Sequence, residues 1–345
     1  MLFGLWVSVF LLSFMLTGCY RGYALRKSLL DIPNDRSSHQ VPTPRGGGIA
    51  IVVSLLLGMG VAISITPLGV IQYSAFLLPG LLLAGVSYLD DLGHVKAGWR
   101  LLVQILSATL ALYLTGGMTA LGVFGVTLES PPLLSLWALL VLVWIINLYN
   151  FMDGINGIAS LTAISISLGI LVLLWLIGAP VELMVPPFLL AGASAGFLLW
   201  NFPRARIFMG DIGSCFIGLV LGVIFLQAGQ WNPVFYWAVL ILSGAFIVDA
   251  SLTLLLRAWR RQKLYQAHRE HAYQHLSRRW QSHTKVTLGY NLLTLGYLLP
   301  VAGLVVLGHL DGFMGLLLGY CPLALVFWRS GAGRHQQWPA PERPL

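Results

Sequence analysis

The sequence predicts an all-α polytopic membrane protein with about eleven transmembrane helices, the N-terminus outside and the C-terminus cytoplasmic. Three observations carry that class. Hydrophobic residues make up 57% of the 345 and charged residues 9%. A soluble domain carries about 25% charged residues, so this chain cannot coat a water-facing surface. Eleven apolar runs can be traced, at 2–20, 46–66, 72–89, 101–117, 132–147, 158–177, 185–200, 212–228, 234–256, 286–308 and 313–328. A helix needs about 20 such residues to cross a hydrocarbon core of about 30 Å. Finally, all twenty Lys and Arg fall at 21–45, 90–100, 201–211, 257–285 and after 328. With 148–157, these are the loops that lie inside if the chain crosses eleven times from an external N-terminus, as the positive-inside rule requires. The outside loops hold Glu129, Glu182 and Asp311 and no basic residue; these three acids read as solvated loop charges.

The expected organisation is one integral-membrane unit over 1–328, with cytoplasmic loops near 21–45, 90–100, 148–157, 201–211 and 257–285. The tail, 329–345, is Pro-rich and polar and is expected to be disordered. The net charge of +8 lies in short juxtamembrane loops, which suits anionic headgroups or phosphates and argues against nucleic acid. Cys19, Cys215 and Cys321 are odd in number and dispersed, forming neither a metal pattern nor a disulfide framework. "LTGC" at 16–19 has the form of a lipoprotein cleavage box, but no basic residue precedes the apolar run. Residues 2–20 are therefore expected to be an uncleaved first span.

Carboxylates are expensive in or beside a membrane, so their positions carry information. Asp90, Asp91, Asp153, Asp211 and Asp249 stand at the cytoplasmic ends of four spans, the first two side by side. If those ends converge, five carboxyls face one cavity and need cationic compensation.

The first polar stretch, "DIPNDRSSHQVPTPRGGG" (31–48), offers Arg36, His39 and Arg45 to phosphate, with three glycines for close backbone approach. It is neither a Walker sequence nor a dinucleotide fingerprint. In "SYLDDLGHVKAGWR" (87–100), paired aspartates precede Lys96 and Arg100; this is either a divalent-cation or base site, or a loop of mutually paired charges. "NLYNFMDGINGIAS" (147–160) concentrates Asn150, Asp153, Asn156 and two glycines at a seam between apolar runs, more polarity than a turn needs. "FPRARIFMGDIGSCFIG" (202–218) sets Arg204 and Arg206 before Asp211 at the start of a span. Glycines at a helix N-terminus leave N–H groups open to an anion, and an aspartate there can share Mg²⁺ with a diphosphate. The alternative is an N-cap with two packing glycines. Asp249 is either a site residue or a buried carboxylate bonded to its neighbours.

The loop 257–285 reads as a basic helix with His268, His271 and His275 at i, i+3 and i+7, on one face. Its aromatics Trp259, Tyr265, Tyr273 and Trp280 suit a membrane interface. It is either an amphipathic surface helix or a set of phosphate contacts that includes Arg269.

Together, "DIPNDRSSH…PRGGG", "DDLGHVKAGWR", "NLYNFMDGING", "FMGDIGS" and "HREHAYQHL" resemble the polyprenyl-phosphate N-acetylaminosugar-1-phosphate transferases, glycosyltransferase family 4. Within the family, "HREHAYQ" is most similar to the branch that initiates O-antigen and related surface polysaccharides. That branch is related to the enzymes initiating peptidoglycan lipid I and enterobacterial common antigen. The resemblance implies a reaction at the cytoplasmic face of the bacterial inner membrane. There a UDP-N-acetylated amino sugar and undecaprenyl phosphate give undecaprenyl-diphospho-sugar and UMP, with Mg²⁺, for which Mn²⁺ can substitute. It allows a homodimer. It further implies Asp211 as the metal ligand, Asp90, Asp91 and Asp153 as catalytic residues, and Asn150 on the nucleotide wall. His268 and His271 correspond to the family's histidine motif, which meets the sugar nucleotide. The chain departs from the family where many members carry a second aspartate, for "DGxDG" reads "DGING" here. Asn156 can then contact nucleotide or sugar but cannot act as an anionic base.

Two other readings compete. A lipid I-type transferase would share the reaction, although "HREHAYQ" differs from the histidine-rich loop of that branch. A lipid or solute transporter would place charges near the midplane and show related halves; here the acids gather at one surface and no halves repeat. No residue can be assigned to reading which amino sugar is carried.

Overall fold

The computed structural model describes residues 1–33, 41–93, 95–263 and 268–334. All eleven apolar runs are helical. Among the described residues, nine helical spans are long and apolar enough to cross a membrane. Eight of them are α1 (Leu2–Arg26), α3 (Val70–Leu92), α4 (Ala97–Thr115), α5 (Pro131–Met152), α6 (Ile158–Leu176), α7 (Val181–Asn201), α8 (Asp211–Trp231) and α14 (Gly312–Arg329). The ninth, His283–Val306, joins α12 (His283–Leu293) to α13 (Leu299–Val306) through one π turn at Thr294–Leu298. Pro300, which has no N–H to give, follows that turn.

Two of the eleven runs depart from a simple span. α2 (Ile49–Ile65) is shorter, at 17 residues. The run expected at 234–256 is broken into α9 (Val234–Leu242) and α10 (Gly244–Trp259), bent by 72°. The break falls at Ser243–Gly244, the kind of pair at which helices kink, and the Tyr320 ring sits where a Cβ on Gly244 would be. The protein is thus an all-α polytopic membrane protein with nine spanning helices among the described residues, or ten if the bent pair counts as one span.

The helices pack through small residues, as expected where lipid removes the hydrophobic drive between helices. α8 is the most enclosed span. A Cβ on Gly218 would lie 2.9 Å from the Ile145 carbonyl oxygen of α5. Between α1 and α7, Ser13 Oγ donates to the Ala193 carbonyl at 2.6 Å, and Gly196 lies against the Phe10 backbone.

The only sheet among the described residues is two short ladders. β1 (Leu30–Asp31) pairs with β2 (Thr43–Pro44), and β3 (Leu121–Val123) pairs with β4 (Val126–Leu128). Phe124 and Gly125, both at positive φ, close the second hairpin, as a two-residue primed turn requires. Asp311, expected to be a solvated loop charge, instead accepts the Phe124 N–H at 2.7 Å and caps α14 through the N–H of Phe313 at 2.9 Å. The cap joins the β3–β4 hairpin to the last span.

The long loop 257–285 is not one helix. α10 ends at Trp259, α11 spans Ala272–Arg279, and α12 begins at His283. His268 precedes α11, His271 is its N-cap and His275 lies within it, so the three histidines do not share one helical face. Tyr273 is buried rather than interfacial, whereas Trp259 and Trp280 are exposed. Tyr265 lies outside the described residues. Just past α14, Ala332 is buried and the Gly333 N–H donates to the Glu270 carbonyl at 2.7 Å.

Candidate active site

Four of the five aspartates singled out in the sequence come together where α3, α5 and α8 end or begin. Asp211 is the first residue of α8. Its Oδ1 accepts from Asn150 Nδ2 at 2.9 Å, and the same amide group reaches Ser214 Oγ at 3.1 Å. Its Oδ2 lies 3.3 Å from Arg100 Nη1. That nitrogen also binds Asp90 Oδ2 at 2.6 Å, while Asp90 Oδ1 accepts the Val95 N–H at 2.8 Å. Arg100 thus bridges two carboxylates from different helices. It is the cationic compensation that converging carboxylates need, and its place in "DDLGHVKAGWR" was the sequence signal for it.

Asp91 has a different task. Its two oxygens accept the backbone N–H groups of Asp211 at 3.0 Å and Ile212 at 3.1 Å. These are orphan donors of the first turn of α8, and a carboxylate is favoured there by the helix dipole as well. Gly210, at φ +78°, leaves room for that carboxylate, which lies where a Cβ would be. Adjacent aspartates at the end of α3 therefore point to different work: Asp90 to Arg100, Asp91 to the start of α8.

Asp153 follows the last residue of α5. Burial first, and then the charges of Asp211 and Asp91, hold its carboxyl well above the ordinary carboxylate range. Asn156 ties loops together. Its Nδ2 donates to the Pro203 carbonyl at 3.1 Å, and its own carbonyl accepts from Thr287 Oγ1 at 2.9 Å. Asn201, not singled out from the sequence, joins the same seam by accepting the Gly157 N–H at 2.7 Å and donating to the Ile207 carbonyl at 2.9 Å. A polar residue closing an apolar run was its only sequence signal.

The three glycines of "PRGGG" approach protein, not an open site. The Gly47 and Gly48 N–H groups donate to the carbonyls of Phe208 and Met209 at 2.9 and 2.8 Å. A Cβ on Gly48 would overlap the Cα of Gly213 in the first turn of α8. This backbone-on-backbone contact presses the segment before α2 against the loop that carries Asp211. Arg45, half-buried beside these glycines, acts electrostatically on Asp91.

The remaining sequence candidates lie around this cluster. Lys96 is exposed at the N-cap of α4. Arg204 and Arg206 are exposed, and Arg206 lies over the Trp200 ring at 5.9 Å. The His268 and His271 rings lie tilted against each other with centroids 4.9 Å apart, and His271 stacks on Phe151 of α5 at 6.3 Å. Burial first, then His271 and Arg257, push the His268 imidazole down to about 3. Arg269 is half-buried beside it. Arg36 and His39 lie outside the described residues. Asp249 does not join the cluster: it is fully buried in α10 and bonded to the backbone of α11.

Comparison with known proteins places this arrangement. Residues 73–229 match the description Glycosyl transferase family 4. A decaprenyl-phosphate N-acetylglucosaminephosphotransferase of Mycobacterium tuberculosis is 33% identical over 61% of this chain and 56% of its own length. The match therefore spans little more than half of that relative. A probable undecaprenyl-phosphate N-acetylglucosaminyl 1-phosphate transferase of Bacillus subtilis is 26% identical over 84% of this chain and 81% of its own length. A phospho-N-acetylmuramoyl-pentapeptide-transferase of Chloroflexus aggregans is 30% identical over 65% of each. The matched segment runs from α3 through α8 and contains Asp90, Asp91, Arg100, Asn150, Asp153 and Asp211. Over residues 73–229, the stretch that holds this cluster, the chain is similar to glycosyl transferase family 4.

Proposed function

We propose that the protein transfers an N-acetylated amino-sugar 1-phosphate from a UDP-sugar to undecaprenyl phosphate and so initiates O-antigen or another surface polysaccharide. The observation that carries this reading is the convergence of Asp90, Arg100, Asn150 and Asp211 at one end of the membrane helices. The names of the relatives support the reaction class. In this reading the cluster faces the cytoplasm of a bacterial inner membrane, as the one-sided distribution of Lys and Arg supports.

In the reaction, an oxygen of the lipid phosphate attacks the phosphorus that bears the sugar. A new P–O bond forms, the bond from that phosphorus to its oxygen bridge with UMP breaks, and the electron pair leaves with UMP. The lipid phosphate has a second pKa of about 6 and is mostly dianionic at neutral pH, so direct attack needs no strong base. The obstacle is the approach of two anions, which positioning and electrostatics must overcome.

The donors suit Mg²⁺, which binds through one or two carboxylates and completes its shell with water and substrate phosphate. Asp211 would be the protein ligand, with Asp153 beside it. Bound there, Mg²⁺ would screen the like charge of the two phosphates. No group of three or more His, Cys, Asp or Glu suited to a metal exists among the described residues, so in this reading substrate oxygens complete the coordination. Arg100 holds Asp90 and Asp211 in register, and Asp91 sets the start of α8. Asn150 orients Asp211, and the His268–His271 loop beside Phe151 borders the sugar nucleotide.

The test is UMP release in membranes, with and without Mg²⁺ and undecaprenyl phosphate, across a panel of UDP-amino sugars. Dependence on all three is expected. UMP release and labelled protein without lipid acceptor would replace direct attack by a covalent aspartyl route. The Chloroflexus relative carries a second reading, a lipid I-type enzyme, so the panel includes UDP-N-acetylmuramoyl-pentapeptide.

A further inference from the structure

A second buried carboxylate network lies outside the aspartate cluster. Asp249, fully buried in α10, accepts the N–H groups of Ala272 at 2.7 Å and Tyr273 at 3.0 Å. It also accepts the Tyr290 hydroxyl from α12 at 2.5 Å and Thr253 Oγ1 at 3.3 Å. His271 Nδ1 lies 3.8 Å from it. Such a group is costly to bury unless its oxygens are satisfied, and here both are. The arrangement repeats what Asp91 does for α8: one carboxylate takes two successive N–H groups at the start of a helix.

The helix held in this way reaches the cluster. Tyr273, in the first turn of α11, donates its hydroxyl to the Phe151 carbonyl at 3.0 Å. Its ring end lies where a Cβ on Gly154 would be, so it packs directly on the turn that carries Asp153. His271, beside Tyr273, stacks on Phe151 as well. A continuous path of contacts therefore runs from Asp249 through the start of α11 to the turn 151–154.

We propose that Asp249 is a positioning residue for the active site: by clamping the start of α11 it sets Tyr273 against Phe151 and Gly154 and fixes the Asp153 turn. Asp249 touches no reacting atom; its effect on turnover passes through Tyr273. The turnover part rests on the transferase reading, whereas the mechanical link between Asp249 and the turn does not.

The experiment combines hydrogen–deuterium exchange with turnover in detergent-solubilised full-length protein, comparing wild type, Asp249→Asn and Tyr273→Phe. Asp249→Asn puts an amide group where two backbone donors point. It should speed exchange in 268–275 and also in 150–157, each by about 10-fold, the equivalent of one lost buried hydrogen bond. Tyr273→Phe keeps the clamp and removes only the bond to Phe151, so it should speed exchange in 150–157 and leave 268–275 within about 2-fold. Turnover should fall about 10-fold or more in both variants while KM for the lipid phosphate stays within about 2-fold. If 150–157 exchanges at the wild-type rate in both variants, the proposal is overturned. The same holds if exchange changes as expected in an active enzyme but kcat does not. If Asp249→Asn does not fold, Tyr273→Phe decides alone by the same two readouts. Wild-type protein that turns over no UDP-sugar defeats the transferase reading instead, and exchange still judges the link.

Discussion

Arg100 Nη1 lies 2.6 Å from Asp90 Oδ2 and 3.3 Å from Asp211 Oδ2, so one guanidinium joins the end of α3 to the start of α8. Both contacts use one nitrogen of a rigid, weakly hydrated guanidinium at the end of a long side chain. A lysine ammonium is a strongly hydrated point charge on a shorter, flexible stem and is less firmly held between the two carboxylates. Arg100→Lys should therefore cost activity despite keeping the charge. The expected loss in kcat is about 10-fold, with Arg100→Ala lower still. Steady-state UMP release measures both, and wild-type kcat in Arg100→Lys would show that charge alone suffices.

Asp91 and Asp211 should separate stability from chemistry. Asp91→Asn turns one of the two acceptors of the α8 N–H groups into a donor, and should destabilise the protein by about 1–3 kcal/mol. Asp211→Asn removes a carboxylate beside Asp90 and should leave thermal stability at or above wild type, yet abolish Mg²⁺-dependent UMP release. Tryptophan fluorescence melts of solubilised protein, paired with the UMP assay, check both halves. Full activity in Asp211→Asn would refute its assignment as metal ligand.

Gly48 and Gly213 should tolerate no side chain. A Cβ on Gly48 would overlap Gly213 Cα, a backbone atom that cannot swing aside. Gly48→Ala should cost about 1–3 kcal/mol or more by overpacking, and it should displace the loop that carries Asp211. Gly98, which has open space around its Cβ position, is the control: Gly98→Ala should melt at or above the wild-type temperature. Size-exclusion profiles and melting temperatures report the difference.

His268 should make the protein sensitive to acid. Its folded-state pKa is pushed from the ordinary 6.5 down to about 3 by burial, then by His271 and Arg257. The unfolded chain therefore binds a proton that the folded chain refuses between those values. Its contribution is whole above pH about 6.5 and is lost as pH falls toward 3. His268→Gln should flatten the decline of melting temperature between pH 7 and pH 4.5. An unchanged slope would show that other groups set it.

Much of this protein was legible in its sequence, because a bilayer makes polarity costly. Asp90, Asp153 and Asp211 stood out because a carboxylate at the end of an apolar run demands a reason, and eleven apolar runs became helices for the same cause. The partition of Lys and Arg carried an expected orientation. What the sequence could not supply was which groups would spend their polarity on one another. Asp91 and Asp211 are 120 positions apart, and Gly48 and Gly213 farther still. So only the packed helices decided that Asp91 clamps α8 and that "PRGGG" presses on backbone. The same packing decided that Asp249 serves α11 and that His268 and His271 sit before that helix while His275 lies within it. Composition and periodicity report the medium around each residue, while hydrogen-bond partners depend on long-range contacts that exist only once the helices have met.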